Sequence, residues 1–336
     1  MVCKRALILG IGGQDGYFMS WLLARNCYGV TGVLLPSDHS SDTVPHLPQN
    51  GVRLIPGSVC DRKLIADIVR EEQPDEIYNF AGISFVPYSW DCPAEVAEIN
   101  GLAVGQLLNI IRAESPMSRF FQSGSSEMFG HDPVSSPQNE ETPFNPDNPY
   151  GSSKVFATHL VRNFRSHFGV FACTGIMYNH ESEWRGSRFV TRKITMGAAA
   201  VKLGIRQTLT VGNLDCVRDW SFAGDFIDGM WRMMHAKEPG DYVLASGKLH
   251  SVRDVLNVAF DHVGLSWEDR VEVDPSLNRP TETVPLCGDS SRIKSELGWA
   301  PLLSFEDLVR RMVDKDLERL QCAPPLSGVV RTEALC

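Results

Sequence analysis

The chain is short of positive charge: 32 Lys and Arg stand against 41 Asp and Glu, a formal charge of −9 over 336 residues. Coating a nucleic acid requires a basic face to neutralise phosphates, so a general nucleic-acid binder is excluded. An anionic small ligand would have to be met by a few placed Arg and Lys side chains. The nine Cys contain no C-x-x-C pair, which argues against a zinc cage or a disulfide framework and fits free thiols in a reducing compartment. The nine His fall at no ligand spacing, so no metal site is expected. Long apolar runs are missing too. The opening MVCKRALILGIGG is far too short to span a membrane and carries no signal-peptide cleavage pattern. Internal repeats and low-complexity tracts are absent. Together these absences predict a soluble, cytoplasmic protein with neither a membrane nor a nucleic acid as partner.

What is present is ordinary globular composition, 43% hydrophobic and 22% charged, in a chain long enough for a large core and two lobes. Short aliphatic runs alternate with helical patterns through the first half. RALILGI, YGVTGVLL, GVRLIPG, PDEIYNFAG, RFFQSGS and FACTGIMYN read as strands. GYFMSWLLARN, DRKLIADIVREEQ, EINGLAVGQLLNIIRAE and the segment containing Tyr150 read as helices. This alternation predicts an α/β protein with a Rossmann-type, doubly wound parallel sheet. After about position 180 the pattern becomes irregular and richer in Arg, Pro and Trp, which predicts a smaller C-terminal, substrate-binding lobe. The expected division is a dinucleotide-binding domain over 1–175 with a return segment near 214–238, a lobe over 176–213 and 239–320, and a tail over 321–336. The return segment contains RDWSFAGDFIDGMWRMM, which reads as a strongly patterned helix region.

LILGIGGQDGYF sets Gly10, Gly13 and Gly16 between a strand and a helix at the head of this series. The first glycine permits a sharp turn, the second lets a pyrophosphate approach the backbone, and the third permits close helix–strand packing. The helix N-terminus offers unpaired N–H groups to the anion. Dinucleotide binding is therefore expected. The second strand ends in Leu34, Leu35, Pro36, Ser37 and Asp38. An acid there suits the ribose of NAD and an Arg the phosphate of NADP; Asp38 also reads as a turn residue, so both cofactors stay candidates. Further on, NPYGSSKVFATHLVRNF places Tyr150 and Lys154 one helical turn apart. Such a pair is either a surface contact worth a few tenths of a kcal/mol or a phenol assisted by a cation.

The glycine spacing combined with Tyr150-x-x-x-Lys154 resembles the extended short-chain dehydrogenase/reductase superfamily. GIGGQDG, PDEIYNFAG, SSEMFG, NPYGSSK, YNHES, FVTRKI, GNLDCVRDW, DYVLASGKLHSVRD and RPTETVPLCGD, in that order from about residue 4 to 316, resemble the GDP-mannose 4,6-dehydratase family. That resemblance implies oxidation of a GDP-hexose at C4, loss of water across C5 and C6, and return of the hydride to C6 by a bound, recycled NAD(P). It implies Tyr150 as base for the C4 hydroxyl, supported by Lys154. Ser125, where the family often has Thr, would bond the C4 oxygen. Glu127 would remove the C5 proton, with Ser126 assisting at C6. Gln14, Asp15, Ser58, Val59 and His180 join the three glycines, Tyr150 and Lys154 as implied cofactor contacts. Lys193, Arg218 and Arg279 would meet the diphosphate or guanosine, Asn179 the sugar and diphosphate, and Glu282 the nucleoside ribose.

The chain also departs from the family pattern. A basic segment usually follows the second strand, whereas LLPSDHSSDTVPHLPQNG has no Lys or Arg. This keeps NAD beside NADP as a candidate and favours a homodimer over a tetramer. GSVCD stands for GDLSD, and SEWRGSRF departs from SPRRGE-x-F, where Trp184 could reshape the sugar pocket. The expected substrate is thus GDP-mannose or a close relative such as a GDP-manno-heptose. The alternatives are a nucleotide-sugar 4-epimerase or 4-reductase, against which Glu127 argues, and a non-catalytic cofactor-binding protein.

Overall fold

A computed structural model describes residues 4–131, 136–277 and 285–322. The chain begins with β1 (Arg5–Leu9), α1 (Gln14–Arg25), β2 (Gly29–Leu34), β3 (Val52–Pro56), α2 (Arg62–Glu72) and β4 (Glu76–Asn79). Two short helices, α3 (Val86–Asp91) and α4 (Pro93–Ala97), lead through a π turn into α5 (Ala103–Glu114). β5 (Arg119–Ser123), α6 (Pro149–Phe168) and β6 (Ala172–Met177) follow. The second half brings β7 (Asn179–Glu181), α7 (Val190–Lys202), β8 (Leu209–Val211), β9 (Val217–Arg218), β10 (Trp220–Phe222) and α8 (Ala223–Met234). Last come β11 (Asp241–Leu244), β12 (His250–Ser251), α9 (Val252–His262), β13 (Val271–Val273), α10 (Ser291–Leu297) and α11 (Phe305–Cys322).

Seven strands form one parallel sheet in the order β11-β6-β5-β4-β1-β2-β3. Apart from the edge strand β3, its strands are buried on both faces, which is why they read as continuous aliphatic runs. Side chains alternate between the faces. Leu7 and Leu9 of β1 join Ile77 and Phe120 beneath α2, α5 and α6, with Ile65, Leu107, Ile111 and Val161 closing that core. Ala6 and Ile8 face the other way, into a core with Tyr78, Phe121, Met19 of α1 and Phe226 and Met230 of α8. A third core of Ile194, Ala198, Val255, Phe260 and Val309 binds α7, α9 and α11 into the second half. Among the described residues, no helix is long and apolar enough to cross a membrane.

Two local expectations change. RDWSFAGDFIDGMWRMM is not helical throughout: Arg218 ends β9 and Trp220–Phe222 pairs with β7, so the helix begins only at Ala223. The segment Asp241–Leu244, expected in the second lobe, is instead the edge strand of the main sheet, parallel to β6. Its four residues are all buried, and burial on the sheet outweighs their separation from the other strands in sequence.

The order reverses between β1 and β4, and such a switch point opens a crevice beyond the carboxyl ends of the strands. The segments after β1, β4, β5 and β6 all converge there.

Candidate active site

Gly10 follows β1 at φ +80°, and a Cβ on it would lie 2.8 Å from the Ala81 backbone nitrogen. On Gly16 a Cβ would lie 2.4 Å from Ile11 Cα, so α1 packs against the loop at a distance only glycine allows. Gly13 is the N-cap of α1 and supplies no side-chain bond to the helix, leaving first-turn N–H groups for an anion. These features fit a dinucleotide pyrophosphate. Ser58 and Val59, after β3, line the neighbouring cavity with Leu34, Leu35 and Asp38.

The loop is tied across the crevice to β7. Gln14 Nε2 donates to the His180 carbonyl at 3.1 Å, and Ser182 Oγ donates to Gln14 Oε1 at 2.7 Å. His180 Nδ1 faces the Tyr178 carbonyl at 2.9 Å, while Nε2 faces both Asp15 oxygens at 3.1 Å. Both ring nitrogens therefore meet acceptors, which favours the imidazolium. Burial opposes that charge, yet Asp15 overrides it and raises the His180 pKa above its ordinary value. Burial likewise opposes ionised Asp15, and His180 holds its pKa down.

α6 carries Tyr150 and Lys154 into the cleft. Asn148 caps the helix by accepting from Gly151 N–H at 2.8 Å, and Pro149 occupies the first turn. Tyr150 and Lys154 are both buried and both line the cleft with Ser123, Ser125, Ser126 and Glu127. Lys154 Nζ donates to the Ser123 carbonyl at 2.9 Å and lies 5.7 Å from the Tyr150 ring centroid. The support of phenol by ammonium is thus looser than their spacing implies. Burial pushes the Tyr150 phenol up to about 12, with the Ser125 hydroxyl drawing it down and Glu127 adding to the rise. Burial pulls Lys154 down to about 8, against the attraction of Asp15. At neutral pH the ammonium form therefore still prevails.

Glu127 follows β5 in a single turn of 3₁₀ helix. Its backbone N–H donates to Ser125 Oγ at 3.2 Å, and its Oε2 accepts from Asn148 Nδ2 at 2.7 Å. Asn148 also donates to Asp147 Oδ1 at 3.1 Å, and Asp147 Oδ2 meets His131 Nδ1 at 2.6 Å. The cap of α6 is therefore also the tether of the Glu127 carboxylate. Asn148 was not anticipated as a site residue. Its only sequence signal is an ordinary one, an Asn before Pro at a helix start.

The opposite wall comes from the second half. Asn179 and Arg218 line the cleft, joined by Arg185 and Phe189. Arg185 was unforeseen; it lies over the Phe189 ring at 3.5 Å and pairs with Glu181 at 3.2 Å. Arg192 holds that turn by donating to the carbonyls of Glu183 and Arg185, both at 2.9 Å. Arg218 is fixed beside Asp219, which accepts from Ser246 and Gly247. Lys193 is not among the residues lining the cleft. It stands near Asp274, whose carboxyl is held below its usual range by Ser276 first and Lys193 last. Trp184 does not line the catalytic cleft either; it packs on Tyr17 at 4.8 Å and His46 at 5.0 Å, with Arg319 over its ring. Arg279 and Glu282 lie outside the described residues.

The profile of the family described as GDP-mannose 4,6 dehydratase matches residues 7–312. GDP-mannose 4,6 dehydratase 1 of Arabidopsis thaliana is 40% identical over 327 residues, covering 94% of this chain and 90% of the relative. The Homo sapiens GDP-mannose 4,6 dehydratase is 36% identical, with coverage of 95% and 93%. Among solved structures, RMD from Pseudomonas aeruginosa complexed with NADPH superposes with a TM-score of 0.79 at 22% identity, covering 94% of this chain and 99% of that one. UDP-glucose 4-epimerase from Thermotoga maritima superposes at 0.83 with 19% identity, covering 94% and 100%. At those identities the structural likeness shows a shared fold alone. The profile and the full-length relatives carry the assignment further: the chain belongs to the GDP-mannose 4,6-dehydratase family.

Proposed function

We propose that this chain is a GDP-sugar 4,6-dehydratase acting on GDP-mannose or a close relative such as a GDP-manno-heptose. The observation that carries the reading is Glu127, a carboxylate in the same cleft as Tyr150 and Lys154 and tethered by Asn148. A 4-epimerase or 4-reductase has no proton to take from C5 and no use for that carboxylate. In this reading the sheet half receives the dinucleotide, and Asn179, Arg185 and Arg218 of the opposite wall receive the sugar diphosphate.

A bound nicotinamide dinucleotide supplies the acceptor for the hydride leaving C4 and the donor for its return at C6. Tyr150 takes the C4 hydroxyl proton. Its phenol resists ionisation in this buried site, so the nearby Ser125 hydroxyl and Lys154 ammonium have to favour the phenolate. Oxidation comes first because a 4-keto group acidifies C5–H. Glu127 then accepts that proton and passes it to the departing C6 hydroxyl, which leaves as water; as the hydride returns to C6, C5 takes up a proton that balances the one Tyr150 removed from the C4 hydroxyl. Ser126, buried beside it, steadies the C6 oxygen. Lys193, expected at the diphosphate, has no part in this assignment.

The reading includes a homodimer. Leu102 before α5 is 55% exposed, Phe156 of α6 46% and Trp90 59%, and the three line one shallow apolar cavity. Pairing α5 and α6 with a second copy would bury this surface in a four-helix bundle.

Incubation of the purified chain with GDP-mannose tests the activity. The sugar nucleotide should lose the mass of one water with no net change in nicotinamide absorbance. A stoichiometric nicotinamide change would mean a dehydrogenase or reductase, and a mass-neutral inversion would mean an epimerase.

A further inference from the structure

We infer that the adenosine end of the dinucleotide site selects NAD over NADP, with Asp38 as the selecting residue. This rests on the reading of the crevice as a dinucleotide site and specifies which dinucleotide. A cavity of about 200 Å³ continues from the catalytic cleft along the ends of β1, β2 and β3; Gly10, Gly13, Phe80 and Gly82 line both. Among the described residues lining this cavity, Asp38 is the only charged one. It sits in the middle of the turn Pro36–Ser40 that follows β2, and its side chain lies against the glycine loop: a Cβ added to Gly12 would stand 3.4 Å from Asp38 Cβ.

The turn is anchored. Ser41 N–H donates to the Asp38 carbonyl at 2.9 Å, and the hydroxyls of Ser41 and Thr43 donate to the Gly12 carbonyl at 3.2 and 2.5 Å. Among the described residues, no hydrogen bond or ion pair takes up the Asp38 carboxylate. Cations are remote. Residues 26–52 contain no Lys or Arg, and Arg53, the next one, pairs with Glu72 at 2.7 Å.

Chemistry decides between the two ligands. The adenosine ribose of NAD offers two hydroxyl donors at the end of the second strand, and a carboxylate accepts from both. The ribose of NADP places a phosphate of nearly two negative charges there instead. Beside Asp38, in a partly desolvated cavity without a cation, that phosphate is repelled and loses its hydration. The departure from a basic second-strand segment, noted in the sequence, thereby gains a physical consequence.

The test is binding, which does not depend on turnover. The full-length chain, freed of nucleotide, is titrated with NAD+ and with NADP+ by calorimetry. NAD+ should bind at least about tenfold more tightly, and D38N should narrow that ratio severalfold. Equal or tighter binding of NADP+, or a ratio unmoved by D38N, would overturn the inference. Binding of neither would overturn it together with the dinucleotide reading. NAD+ selectivity in a chain that leaves GDP-mannose intact would sink only the proposed activity.

Discussion

The two walls of the crevice are built differently. The sheet wall carries its proposed reactive groups on two short stretches: Tyr150 and Lys154 on one turn of α6, Ser125 to Glu127 in the turn after β5. Contacts between these two stretches fix them: Asn148, the cap of α6, holds Glu127, and the Ser123 carbonyl holds Lys154. The opposite wall collects single residues from separate segments, Asn179, Arg185 and Arg218; β7, which carries Asn179, pairs with β10, and β9, which carries Arg218, pairs with β12. The difference teaches where chemistry and recognition reside. Proton transfer demands fixed geometry and sits on regular elements, whereas recognition is assembled from loops that can vary without disturbing it.

The largest effect is expected on the sheet wall. Tyr150→Phe removes the phenol and keeps the ring, so kcat should fall by about 10³-fold or more, within the range for loss of a positioned acid–base group. A turnover close to the parent's would refute the assigned base. A smaller effect is expected for Asn148→Ser. Serine caps a helix as well as asparagine does but withdraws the amide that holds Glu127. Thermal stability should change little while kcat falls about tenfold, about 1.4 kcal/mol in the barrier. If kcat and stability fell together, Asn148 would be only a cap.

On the opposite wall, Arg218→Ala should raise KM for the GDP-sugar about tenfold and leave kcat within a factor of a few. A collapse of kcat with unchanged KM would move Arg218 to the chemical side of the comparison. The smallest effect concerns the strap between the walls, Asp15 and His180. A raised His180 pKa gives stability that is complete below pH ~6.5, the ordinary imidazole value, and is lost as pH rises through the folded value. A lowered Asp15 pKa gives stability present above pH ~3.8 and lost as pH falls through the folded value. Asp15→Asn should therefore cost most between these limits, about 1–2 kcal/mol, and progressively less in alkaline buffer. Denaturant midpoints at pH 5.5 and 9 would show whether the penalty shrinks.

The same contrast explains what was legible in the sequence. The glycine loop, the Tyr–Lys turn and the alternating elements are local patterns, and each is found where its spacing implies. Glu127 was visible only through the family resemblance of SSEMFG, since it lies four residues beyond the end of β5. Asn148 was missed because its second bond, to Glu127, spans 21 residues. Arg185 was missed because its place depends on Arg192 holding the turn by side-chain bonds. Lys193 lies outside the cleft lining: its neighbours on α7, Thr191 and Arg192, occupy the buried face, and its charge is felt by Asp274. The seventh strand escaped because four residues are too few for a period, and only burial beside β6 defines them.

In the proposed mechanism Glu127 strips C5 after Tyr150 has begun oxidation, and Glu127→Gln separates those steps. In a single turnover with GDP-mannose, this variant should reduce the bound nicotinamide and accumulate the 4-keto sugar with its C6 oxygen intact. Water loss at the parent's rate from Glu127→Gln would contradict the account outright.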